Sequence, residues 1–178
     1  MKLEFKFGLQ IAVTTAIWVT LEYWLGFHTE KIDMLPYASL LALIIPVVYL
    51  LAGLRAKKRL ELGGKMRYSQ CVKCGGLISA IAAVFICIYR IFYYYFINPD
   101  WSRFMIDRAT KQLQEQGLSS EVLTQKSAFV ETYFSLPTHL MYTFVNSFIV
   151  GLLITLILSA YLRTPVQSTA KKSLSEET

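Results

Sequence analysis

Glu22 and Arg90 are the charged side chains set furthest inside apolar sequence. An acid and a guanidinium in such surroundings are costly unless they meet each other or line a polar cavity, so an intramembrane ion pair or a ligand site is the chemistry to look for. Glu22 lies five residues before Phe27 and Arg90 seven before Ile97. At 1.5 Å per residue both sit about 8–10 Å below the outer ends of their helices, which makes a Glu22–Arg90 pair feasible. Tyr93 and His139 lie higher and Asn146 deeper, so these five residues outline an outward-facing polar site for a small molecule or ion. The competing reading is a purely structural pair, or an Arg90 that snorkels to outer headgroups. It is the preferred one.

Cys71-Val72-Lys73-Cys74 is the second constellation. A helix start and nearby lysines favour a thiolate, which opens a membrane thiol redox reading. Zinc would need two further soft or imidazole ligands, and His28 and His139 fall at the opposite membrane face, so no metal site is expected. A redox relay needs a second cysteine pair, and the chain has only Cys87 besides. Packing is the simpler role. No Walker, Rossmann, HExxH or GxSxG pattern occurs, and neither a catalytic residue nor a cofactor is expected.

The elements that would position these groups are apolar. The chain has 178 residues, 54% hydrophobic and 17% charged, with a mean hydropathy of +0.44. Four stretches read as membrane spans, at about 7–27, 35–54, 75–97 and 137–162. The first carries Gln10, Thr14, Thr15 and Glu22 within an arc of roughly 140° at 100° per residue, a face for protein rather than lipid. No small-x-small cleavage site follows it, so a retained span is expected rather than a signal peptide. In the second, Pro36 suits the first turn, Pro46 should free the Ala42 carbonyl and kink the helix, and Gly53 should end it.

Arc positions give the third span two faces. Gly76, Ser79, Ala80, Ala82, Ala83, Cys87 and Arg90 fall within an arc of roughly 160°. Leu77, Ile78, Ile81, Val84, Phe85, Ile88 and Phe92 lie opposite. The small face allows close helix approach and the large one suits lipid, so Arg90 points into the bundle. In the fourth span Thr143, Ser147, Gly151, Thr155 and Ser159 recur every four residues, a ladder for close packing. Small faces on both spans suggest a homo-oligomer or a membrane partner. Residues 98–136 read as an outer amphipathic helical hairpin, begun by Asn98-Pro99-Asp100 and turned at Gly117-Leu118-Ser119.

The formal charge of +6 does not point to nucleic acid, because it is gathered at membrane borders. The 55–73 loop and the two termini hold Lys2, Lys6, Arg55, Lys57, Lys58, Arg59, Lys65, Arg67, Lys73, Arg163, Lys171 and Lys172. The other side holds only Lys31, Arg103, Arg108, Lys111 and Lys126. Both termini and that loop are therefore expected in the cytoplasm, the loop against anionic lipid headgroups. Residues 1–163 form one membrane domain, and the Ser, Thr, Lys and Glu tail from Thr164 should be disordered.

The order of features resembles a family of small bacterial four-span membrane proteins, domain-of-unknown-function family 4199. The residues that carry it are Gly63-Gly64 with the polar run into Gly75 or Gly76, the end of the third span at Phe96-Ile97-Asn98-Pro99-Asp100, Gly117-Leu118-Ser119, and Gly151 leading to Leu162-Arg163. Lys65-Met66-Arg67-Tyr68 stands where a glycine-glycine aromatic run is usual. The resemblance implies a four-span, all-α bundle in the bacterial inner membrane and transfers no site. The expected role is that of a non-enzymatic interaction or accessory subunit.

Overall fold

The computed structural model describes residues 2–164, so the tail assigned as disordered falls outside the described residues apart from Thr164. All regular structure among the described residues is helical. Helix α1 spans Leu3–Trp24 and closes in a Schellman turn. Gly26 adopts φ +80°, its N–H donates to the Tyr23 carbonyl, and the Phe27 N–H reaches back to Glu22. A short 3₁₀ turn, Ile32–Met34, leads into α2 (Leu35–Ala42), which has Pro36 in its first turn. The helix breaks at Leu43 and resumes as α3 (Ile44–Leu60). That is the kink expected from Pro46, whose missing N–H leaves Ala42 without its partner.

Gly53 does not end this helix. It is buried in mid-α3, where an added Cβ would lie 2.9 Å from Ile78 Cδ1 and 3.1 Å from the Phe7 ring. Absence of a side chain lets α1 and α4 close in, and α3 runs on for another two turns until Gly63 and Gly64, both at positive φ, reverse the chain.

Helix α4 covers Tyr68–Phe92 and continues as a π-helical turn over Tyr93–Ile97. It starts about two turns before the sequence suggests, because Gln70 Oε1 accepts from the Arg67 N–H at 2.8 Å and caps the helix there. The expected hairpin follows as α5 (Trp101–Glu115) and α6 (Ser120–Tyr133), turned at Gly117 with φ +65°. Helix α7, Leu136–Leu162, is the last helix among the described residues.

Helix α4 is the hub, packed on α1 along one side and α7 along the other. The α4–α7 seam is built from small residues: Gly75 faces Thr155, and Gly151 faces Ser79. The small faces of these two helices thus meet within one chain. Ile78, placed by its arc toward lipid, is instead fully buried: Gly53 makes room for its side chain against α3, and Gly8 lets α1 close onto the Ile78 carbonyl and the Ile81 side chain. Leu77, Val84, Ile88 and Phe92 are exposed, as a lipid-facing side requires.

Three helical stretches are long and apolar enough to cross a membrane: Ile32–Leu60, Tyr68–Ile97 and Leu136–Leu162. The fourth expected span, α1, has the length, 22 residues or about 33 Å. Its polar face dilutes its apolar character, and that face is used. Thr14 donates to Tyr49 Oη at 3.1 Å, and Thr15 borders a cavity in mid-bundle.

Candidate functional site

The end of the bundle opposite the basic loop gathers a buried polar and aromatic cluster around Glu22. The Schellman turn sends the chain back over the end of α1, so that His28 drops beside Glu22 instead of facing water. Trp18, one turn earlier on α1, donates its indole N–H to Glu22 Oε1 at 2.6 Å. His28 Nε2 lies 3.5 Å from Glu22 Oε2, and His28 Nδ1 is bonded to Tyr93 Oη. Asn98 Nδ2 donates to the same hydroxyl at 3.1 Å.

One proton order suits the hydrogen bonds. Trp18 donates to the carboxylate, Tyr93 donates to His28 Nδ1, and Asn98 donates to Tyr93, which leaves His28 Nε2–H on the side of Glu22. Glu22 and His28 are each 4% exposed and Tyr93 is 0% exposed, so the relay is sealed from solvent. Trp101, Tyr23 and Tyr89 wall it with tilted or edge-on ring contacts. Thr20 and Tyr89 hydroxyls meet at 2.7 Å just beneath.

Of the residues singled out from sequence, Glu22 and Tyr93 come together, joined through His28. Arg90 does not join Glu22, and it forms no ion pair among the described residues. Its guanidinium carbon lies 5.8 Å from the centre of the Tyr93 ring, within cation–π range, and its Nε is buried without a hydrogen-bond partner. Equal expected heights did not bring them together: Glu22 turns to Trp18 and His28, and Arg90 to the Tyr93 ring. His139 stands against Tyr94 on the α7 side, with ring centres 5.2 Å apart. Asn146 is deeper, on a cavity of about 150 Å³ shared with Thr15, Ser79, Ser147 and the Pro46 break.

Trp18, His28 and Asn98 are the members that sequence reasoning missed. The available signal was Gly26, whose left-handed turn folds the next two residues back over the helix end. Cys71 and Cys74 are buried in the hydrophobic core of the opposite half, with Leu50, Leu54, Met66 and Leu162. Both are free thiols, one helical turn apart on α4. Among the described residues no three His, Cys, Asp or Glu side chains converge as a metal site needs.

The basic end carries a second set of polar contacts. Lys57 pairs with Glu4 at 2.7 Å and with Glu61, tying α1 to α3. The hydrogen bond from Lys57 holds the Glu4 carboxyl below its ordinary value, against the opposing effect of its burial. Its two acidic partners raise the Lys57 ammonium. Lys58 Nζ caps the last turn of α7 at the Leu162 carbonyl, 2.8 Å away. Thr164 is held to Met66 by two hydrogen bonds, of 2.9 and 3.0 Å, which tie the residues after α7 to the start of α4.

Residues 6–164 match the family described as Protein of unknown function (DUF4199). No curated protein and no solved structure matches the chain.

Proposed function

Because the chain belongs to the DUF4199 family of proteins of unknown function, we propose a role that its own geometry supports: a four-span integral protein of the bacterial inner membrane, with both termini cytoplasmic, acting as a non-enzymatic accessory or interaction subunit. The observation that carries this reading is the closed outer end. Glu22, the one buried acid among the outer residues, is committed to Trp18 and His28, and the relay is walled by aromatic rings. A transporter or enzyme would keep such a group open to substrate. The exposed apolar sides of α2–α3, α4 and α7 supply the lipid-facing surface.

The test is isolation of the tagged protein from native membranes in mild detergent after crosslinking. A stoichiometric second copy or membrane partner is the expected result. A strictly monomeric species with nothing copurifying would overturn the accessory role.

A second reading has one observation in its favour, the mid-bundle cavity. Its lining of Thr15, Ser79, Asn146 and Ser147 among apolar side chains suits a small, mostly apolar ligand with one or two hydrogen-bonding groups. Filling it with Ser147→Leu separates the two: loss of a growth or transport phenotype with the fold intact would favour the binder.

A further inference from the structure

We infer that the cytoplasmic end carries a defined binding site for an anionic phospholipid, with its phosphodiester held between Arg67 and Arg163. Both arginines line one groove of about 760 Å³ between the start of α4 and the end of α7, together with Tyr68, Ser69, Tyr161 and Thr164. Their spacing is fixed by backbone. Arg67 follows Met66 and Arg163 precedes Thr164, and Met66 and Thr164 are locked by hydrogen bonds in both directions. Two guanidiniums lining one groove suit a phosphate, since each offers a planar fork of N–H donors. Neither arginine forms an ion pair among the described residues, and two acids of this half, Glu4 and Glu61, are both taken by Lys57.

What selects a lipid over free phosphate is the surface leading away from the groove. Leu153, Ile157 and Tyr161 follow one another at four-residue spacing on α7 and are 55%, 71% and 78% exposed. They form a continuous apolar track, with a tyrosine at headgroup level, along which acyl chains would lie. The inference rests on the proposed membrane placement of this end, and adds to it a stereospecific site in place of diffuse attraction by the basic loop.

Native mass spectrometry of the full-length protein in neutral detergent, with equimolar phosphatidylglycerol and phosphatidylcholine, tests it. A basic residue near the membrane surface strengthens anionic lipid binding roughly fivefold, so losing both arginines should weaken phosphatidylglycerol retention roughly 25-fold. Arg67→Gln/Arg163→Gln should show that loss, and each single variant about fivefold, with helix content unchanged by circular dichroism. Arg55→Gln/Arg59→Gln removes the same charge from exposed positions of α3 and should retain the lipid. Equal losses in the two double variants would reduce the effect to net charge and overturn the site. So would a wild-type protein that does not distinguish the lipids. Displacement of phosphatidylglycerol by an equal concentration of inorganic phosphate would overturn the lipid as ligand. If the double variant fails to fold, the single variants decide: no weakening in either refutes the site. A properly inserted protein lacking lipid preference would refute this inference alone.

Discussion

Gly75 and Gly76 are neighbours in sequence, yet α4 asks different things of them. A Cβ on Gly75 would run into Thr155 Cγ2 and lie 2.5 Å from Thr155 Oγ1, with Thr155 Cβ behind them at 3.0 Å. Thr155 is 0% exposed and β-branched, so it has neither space nor a ready rotamer to yield. A Cβ on Gly76 meets only Leu152 Cδ1, at 4.0 Å. Replacing either glycine with alanine gains about 1 kcal/mol of helix propensity. At Gly75 the overpacking cost of about 1–3 kcal/mol opposes that gain. Gly76→Ala should therefore stabilise by up to about 1 kcal/mol, while Gly75→Ala should be neutral or destabilising by up to about 2 kcal/mol. Thr155→Ala removes the two atoms nearest the new methyl, so the Gly75→Ala/Thr155→Ala double variant should recover about 1 kcal/mol or more relative to the sum of the singles. Unfolding in mixed micelles with rising SDS fraction, followed by far-ultraviolet circular dichroism, measures all four species. Equal stabilisation by the two alanines, or strict additivity with Thr155→Ala, would refute the close α4–α7 contact.

Three other outcomes follow from the two polar ends and the core. Glu22→Gln, His28→Ala and Tyr93→Phe should each lower stability by about 1–3 kcal/mol in the same assay, since each leaves a buried partner unpaired. The exchange Glu22→Arg/Arg90→Glu should not rescue, and recovery would restore the Glu22–Arg90 pairing. At the basic end, the lowered Glu4 carboxyl contributes stability that is present above its ordinary value of 4.5 and lost as pH falls through its folded value. Between pH 7 and 3 the wild type should lose more stability than Glu4→Gln, and parallel curves would contradict the Glu4–Lys57 bond. Cys71 and Cys74, 0% and 5% exposed, should resist maleimide until the protein unfolds, with labelling of the folded protein reviving the redox reading.

Sequence was most informative where a single helix decides the outcome. The small face of α4, its lipid-facing Leu77, Val84 and Ile88, the Pro46 break and the Gly117 turn follow from periodicity and backbone chemistry within one segment. Relations between segments were less legible. Depth along a helix gave Glu22 and Arg90 the same height, but azimuth depends on how α1 and α4 roll against each other. The loop residue His28 reached the carboxylate first. Gly53 read as a stop signal because a glycine that ends a helix and one that admits a neighbouring helix look the same in sequence. Only the position of Ile78 and Phe7 against it separates them. The Glu4–Lys57–Glu61 cluster was invisible for a related reason: Glu4 precedes the apolar run, and nothing local marks it as buried.

The crossing of α1 decides the proposed architecture, because without it the N-terminus would lie on the outer side. Labelling of Lys2→Cys, Lys65→Cys and Gln116→Cys variants in spheroplasts by a membrane-impermeant maleimide, before and after permeabilisation, tests it directly. Four spans predict that only Gln116→Cys reacts before permeabilisation, with Lys2→Cys and Lys65→Cys reacting afterwards. Labelling of Lys2→Cys together with Gln116→Cys in sealed spheroplasts would contradict the four-span, both-termini-inside arrangement.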